Sequence, residues 1–111
     1  MIPDYQTLML PLLKSVSDGN EYKFSDVVST LANQFNLTEE ERNELLPSGT
    51  AFLFSNRVGW ARTYLKKAGL LEAPRRGFMQ ISDRGKQTLS ENLSEITVQY
   101  LGKFPEFIQF K

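Results

Sequence analysis

There is no cysteine and no histidine among the 111 residues. Without cysteine the chain has no disulfide framework, no thiolate nucleophile and no thiolate zinc site, a usage compatible with a reducing cytoplasm. The lack of histidine removes the commonest general base at neutral pH and the commonest metal ligand, leaving carboxylates and water as the available ligands. Neither a cofactor nor a metal is expected. No apolar run approaches the length needed to span a bilayer, and Met1-Ile2-Pro3-Asp4 lacks the basic start of a signal peptide. The expected location is the cytoplasm, with no membrane partner. A length of 111 residues, 41% of them hydrophobic, suits a single core and leaves no room for a second full domain.

Net charge is also missing, since 13 basic residues balance 13 acidic ones, but the charges are sorted along the chain. Between Arg57 and Lys86 stand Arg57, Arg62, Lys66, Lys67, Arg75, Arg76, Arg84 and Lys86 against only Glu72 and Asp83, a surplus of six positive charges that the rest of the chain cancels. A concentration of this kind on a few neighbouring elements is the electrostatic footprint of a surface for polyanions.

Periodicity and punctuation place those charges on elements. Leu8, Met9, Leu12, Leu13 and Val16 recur at helical spacing after Pro3-Asp4, and Asp18-Gly19-Asn20 supplies the stop. Pro11 cannot donate to the carbonyl of Thr7, so a kink or a late start is expected there. Glu21 to Phe24 reads as a short edge strand. Ser25 is expected to cap a second helix carrying Val27, Val28, Leu31 and Phe35 along one side, and Thr38 with Glu41 forms a capping-box pattern for a short acidic helix that Pro47 ends. After Ala51-Phe52-Leu53-Phe54, either Ser55 or Asn56 is expected to cap a helix reaching Ala68, which Gly69 terminates in a left-handed conformation. Leu70 to Ala73 and Phe78 to Ile81 read as strands joined by Pro74-Arg75-Arg76-Gly77, a hairpin with a basic tip. Ser82 caps a further helix bearing Leu89 and Leu93, and Ser94 is expected to cap another. The segment Phe104 to Phe110 is aromatic and interrupted by Pro105, and reads as a packed connector.

This order predicts a mainly helical α+β fold with one small hairpin, a winged helix-turn-helix with an extra helix inserted before the recognition helix. Such folds lay one helix in the major groove of DNA while the hairpin touches backbone or minor groove. At about 100° per residue, Val58, Ala61, Leu65 and Ala68 share one face of the candidate recognition helix, while Asn56, Gly59, Thr63, Lys66 and Lys67 gather opposite. Asn56 is suited to adenine, Lys66 and Lys67 to guanine or phosphate, and Gly59 to close approach of the helix backbone. Arg57, Arg62, Arg75, Arg76 and Arg84 are placed for phosphates.

Each reading has a plainer rival. Lysines in a last helical turn also complement the helix dipole, and Arg75-Arg76 is also what a solvated turn carries. Trp60 and Tyr64, one turn apart between the two faces, read as core and boundary packing rather than as base-stacking groups. The acidic run Glu39, Glu40, Glu41 and Glu44 reads as the solvated first turns of a short helix. What favours nucleic acid is coincidence, because a helix face, a hairpin tip and the next helix start are all basic in an otherwise acidic chain. Pro3-Asp4 with Glu21-Tyr22-Lys23 spells a pattern of many metal-dependent nucleases, but that chemistry needs both parts on adjacent strands, and Asp4 sits at a helix start. No catalytic triad, phosphate loop or dinucleotide motif is present, so no small-molecule substrate is expected.

Two long stretches resemble a known family. Leu45-Leu46-Pro47-Ser48-Gly49 and the run from Asn56-Arg57-Val58-Gly59-Trp60-Ala61-Arg62 through Thr63-Tyr64-Leu65-Lys66-Lys67-Ala68-Gly69-Leu70-Leu71 are similar to the N-terminal winged-helix domain of Mrr-type restriction endonucleases. The resemblance extends to Ile2-Pro3-Asp4-Tyr5, to Ile81-Ser82-Asp83-Arg84-Gly85 and to the segment from Tyr100 to Phe110. It implies a DNA-recognition module that, in full-length members, precedes a metal-dependent nuclease domain acting on methylated DNA. The chain ends at Lys111, where that nuclease domain would begin, so cleavage is not implied for it.

The resulting expectation is a non-catalytic module for double-stranded DNA, methylated DNA included, spanning residues 1–93, followed by a C-terminal helix and aromatic connector over 94–111. Asn56, Thr63, Lys66 and Lys67 are expected in the groove, and Arg57, Arg62, Arg75, Arg76 and Arg84 on phosphates. The alternative is a protein-interaction or dimerisation module, for which the apolar tail speaks, and a homodimer is compatible with both.

Overall fold

The structure, a computed structural model, describes residues 1–110; Lys111, the last residue of the expected connector, lies outside the described residues. Among the described residues ten elements follow in order: α1 (Tyr5–Ser15), β1 (Tyr22–Lys23), α2 (Phe24–Gln34), α3 (Glu39–Arg42), α4 (Leu53–Lys67), β2 (Leu71–Glu72), β3 (Phe78–Ile81), α5 (Asp83–Leu89), α6 (Val98–Leu101) and α7 (Pro105–Phe110). The fold is α+β, as expected. A small antiparallel sheet in the order β1-β3-β2 pairs Tyr22 with Met79 and Leu71 with Ile81. Among the described residues no helix is long and apolar enough to cross a membrane.

The core is built around the α1–α4 pair. Leu8, Met9, Leu12, Leu13 and Val16 of α1 and the following turn are fully buried, as are Val58, Ala61, Leu65 and Ala68 along α4. Asp4 opens α1 by accepting from the Thr7 N–H at 2.8 Å. Pro11 lies inside an unbroken helix, contrary to the expected late start; Thr7, whose carbonyl loses its helical donor, is exposed and open to water. Residues beyond α5 join the same core, since Ile96, Leu101 and Phe107 have no exposed surface. The first of them is followed by α6, whose cap is Thr97 rather than Ser94, with the Val98 N–H held by Gln6 Oε1 of α1 at 2.8 Å.

Two helices start earlier than their sequence caps indicate, for the same reason: tertiary carbonyls satisfy the first free N–H groups. In α2 the Phe24 N–H donates to Gly77 O at 2.9 Å, so the helix begins before Ser25. In α4 the Leu53 N–H donates to Glu44 O at 2.8 Å, beside an isolated bridge between Leu45 and Phe52. Starting there, ahead of Ser55 and Asn56, takes Phe54 into the core. The Thr38–Glu41 capping box forms as expected, and Ser82 caps α5 by accepting from the Gly85 N–H at 3.0 Å. The strands are shorter than expected, Tyr22–Lys23 and Leu71–Glu72, and α5 ends at Leu89, leaving Leu93 beyond it.

The C-terminal end of α4 is fastened from several directions. Gly69 has φ +82°, its N–H reaches Lys66 O at 3.0 Å and the Leu70 N–H reaches Leu65 O at 2.9 Å, the pair of bonds that closes a helix through a left-handed residue. Ser82 Oγ donates to Gly69 O at 2.6 Å and Arg84 Nη1 donates to Ala68 O at 2.9 Å. Close packing of α5 behind this point depends on Gly85, where a Cβ would lie 2.3 Å from Leu70 O. These contacts hold α4 and the β2–β3 hairpin in one fixed relation.

Candidate nucleic-acid interface

With its apolar stripe against α1, α4 turns Asn56, Thr63, Lys66 and Lys67 outward, as the 3.6-residue period requires, whereas Gly59, expected on the same face, looks towards the Phe24 ring, which a Cβ there would approach to 3.8 Å. Lys66 and Lys67 are exposed, and Thr63 and Asn56 are partly so. Beside this face the β2–β3 hairpin folds back, leaving an open cleft of about 350 Å³ lined by Arg62, Thr63, Lys66 and Lys67 from the helix and by Arg75 and Arg76 from the turn. Six of the nine residues expected on the surface therefore meet in one place. Leu71, Phe78 and Met79 also line it, and Glu72 is its one acidic residue.

Aromatic rings position several of these cations. The Arg62 guanidinium sits 4.5 Å from the centre of the Phe24 ring, and that of Arg75 sits 3.8 Å from Phe78. Arg75 also pairs with Glu21, Nε to Oε1 at 2.9 Å. Lys67 Nζ lies 5.3 Å from the centre of Phe110. Among the described residues neither Lys66 nor Arg76 forms an ion pair. A cleft with several cations and one carboxylate attracts phosphate, and the long lysine and arginine stems allow adjustment to a backbone path.

The other three expected residues have different surroundings. Arg57 Nη1 donates to Ile2 O at 2.9 Å and Pro3 O at 3.3 Å, so its charge ties the N-terminal segment to α4. Arg84 holds the end of α4, pairs with Glu106 Oε2 at 3.0 Å and lies 4.8 Å from the centre of Phe104. Asn56, on the N-terminal half of α4, lies outside the cleft, and its side chain makes no hydrogen bond among the described residues. Position on a helix face marks where a side chain starts; it does not reveal a backbone carbonyl waiting nearby in the tertiary structure. Phe24 and Phe78 as platforms and Glu21 as the partner of Arg75 are not visible in the sequence, because cross-element pairs leave no local pattern.

The two carboxylates of the nuclease-like pattern are occupied separately. Asp4 caps α1, and the Thr7 backbone N–H is the first cause of its carboxyl lying below the ordinary value of 3.8, with Arg57 adding to it. Glu21 is bound at the hairpin by Arg75. Among the described residues no group of three acidic side chains is placed to hold a metal ion.

Comparison with known proteins decides the family. The sequence profile of the Mrr N-terminal domain matches residues 5–91. The chain belongs to the Mrr N-terminal domain family. That match runs from the start of α1 past the end of α5 and contains the whole cleft, while α6 and α7 lie beyond it. One similar protein is the type IV methyl-directed restriction enzyme EcoKMrr of Escherichia coli strain K12, 27% identical over 99 residues. The aligned region is 88% of this Mrr N-terminal domain chain and 32% of EcoKMrr, so the chain spans about a third of that enzyme's length. No solved structure matches it.

Proposed function

We propose that this chain is a winged helix-turn-helix module that binds double-stranded DNA, with α4 in the major groove and the β2–β3 hairpin as the wing on the backbone. The observation that carries the reading is the cleft, where Arg62, Lys66, Lys67, Arg75 and Arg76 converge against a single lining carboxylate in a chain of zero net charge. Polyanion binding is the chemistry that rewards such sorting, and a helix face beside a hairpin is the shape that a groove and its flanking phosphates accept. The methyl-directed activity named for EcoKMrr supports a role in a restriction system, with methylated duplexes among the DNA recognised. Thr63, Lys66 and Lys67 face the groove together with Asn56; Arg62, Arg75 and Arg76 take phosphates; Arg57 and Arg84 act by holding α4 in place.

The chain does not itself cut DNA in this reading. Asp4 and Glu21 serve a helix cap and an ion pair, and incubation of duplex DNA with divalent cations is expected to leave it intact. The direct test is fluorescence anisotropy of a labelled duplex. Binding that weakens steeply with salt is expected, and no binding at low ionic strength refutes the proposal. A second reading, contact with another protein chain, is favoured by α7, on which Ile108 is 60% and Phe110 38% exposed; self-association insensitive to salt in sedimentation would support it.

A further inference from the structure

Trp60 stands apart from the rest of α4. It is the one large hydrophobic residue of that helix left open to solvent, at 50% exposure, and it is not part of the core cluster. Tyr64, one turn further along, is packed: its ring meets Tyr5 at 5.1 Å, Phe107 at 5.6 Å and Phe110 at 5.7 Å between centroids. Trp60 rests edge-on against this braced ring, at 6.1 Å and 88°. One part of the indole is thereby fixed and another faces outward. On a helix surface its neighbours one turn away are Asn56 and Thr63, the central polar residues of the outward face.

We infer that Trp60 senses a methyl group on the major-groove edge of a pyrimidine, the C5-methyl of thymine or of 5-methylcytosine. The inference rests on the DNA reading above. Phosphates gain little from an indole, and most base-edge groups in the major groove are hydrogen-bond donors or acceptors; the C5-methyl is the apolar one. A helix lying in that groove meets base edges and not base faces, so stacking between bases is not the geometry offered. A protein partner is the weaker match, because Lys67, two turns along the helix from Trp60, lies on the same side and lysine is depleted in the cores of protein interfaces. The braced aromatic base means that the indole loses little freedom on contact, which favours discrimination over adjustment.

The test uses random-sequence duplex pools of one length in four versions: ordinary, uracil for thymine, 5-methylcytosine for cytosine, and both replacements. Binding is read by anisotropy of the labelled DNA, and contact by the emission of Trp60, the single tryptophan of the chain. Emission is expected to change at saturation. Burying one methyl group corresponds to about a fourfold change in affinity, so uracil weakens binding about fourfold if thymine is the source, and 5-methylcytosine strengthens it about fourfold if methylcytosine is. Trp60→Ala should keep the salt-dependent binding and lose these differences, while Trp60→Phe, which retains an apolar ring, should keep part of them. Equal affinity for all four pools, or unchanged emission at saturation, overturns the inference while leaving DNA binding in place. Failure of every pool to bind removes the DNA reading itself, and salt-insensitive self-association abolished by Trp60→Ala assigns the indole to a protein partner instead.

Discussion

Replacing Lys66 and Lys67 together by glutamine, beside a separate Arg57→Ala variant, tests the proposed division of the cations into those that would meet DNA and those that hold the fold. Five cations line the cleft. If each neutralises one phosphate, the slope of log affinity against log salt is about −4.5, and raising salt from about 50 to about 200 mM weakens binding on the order of 500-fold. Removing both lysines takes the slope to about −2.7, and the same salt step then costs on the order of 40-fold. Neither lysine is buried, so the melting temperature of the double variant should stay within a few degrees of the parent. Arg57→Ala should behave in the opposite way. Its guanidinium bonds at 2.9 and 3.3 Å to the Ile2 and Pro3 carbonyls are part-buried, and their loss should cost about 1 kcal/mol after allowance for solvent. That corresponds to a fall of about 4–8 °C in melting temperature with the salt slope unchanged. Anisotropy titrations over a salt series and thermal melts measure both quantities. An unchanged slope in the lysine variant, paired with a reduced slope in Arg57→Ala, would refute the division.

Two further outcomes concern the scaffold. Phe107 has no exposed surface and meets Tyr64, so Phe107→Ala should destabilise the fold by about 3–5 kcal/mol in urea unfolding; a loss under about 1 kcal/mol would mean that α7 is peripheral to the core. The Asp4 carboxyl is held below its ordinary value of 3.8, chiefly by the Thr7 N–H, so its contribution is fully present above that value and disappears as pH falls through the lowered one. Asp4→Ala should therefore cost about 1 kcal/mol near neutral pH and show a shallower loss of stability below about pH 4, and melts with the same acid dependence in both proteins would contradict the assignment.

Much of the architecture was legible in local pattern. The buried stripe of α4 follows from Val58, Ala61, Leu65 and Ala68 at helical spacing, and the caps at Asp4, Thr38 and Ser82 are formed by side chains within three residues of the N–H they receive. Where local pattern failed, a distant group had taken over a local task. Gly77 serves the first N–H of α2 and Glu44 that of α4, so Ser25, Ser55 and Asn56 are not needed as caps.

The same distinction runs through the basic surface. From the sequence alone came the surplus of charge between Arg57 and Lys86, its placement on one helix face and one hairpin tip, and the absence of cysteine and histidine, because composition and helical phase depend only on the order of residues. Tertiary structure decided which of those charges is available. Arg57 and Arg84 are drawn to backbone carbonyls far away in the chain, Arg62 and Arg75 are laid on aromatic rings, and Trp60 is left half-exposed while Tyr64 is packed against Tyr5, Phe107 and Phe110. A side chain's chemistry is set by its type, but its partner is set by whatever the fold brings within reach.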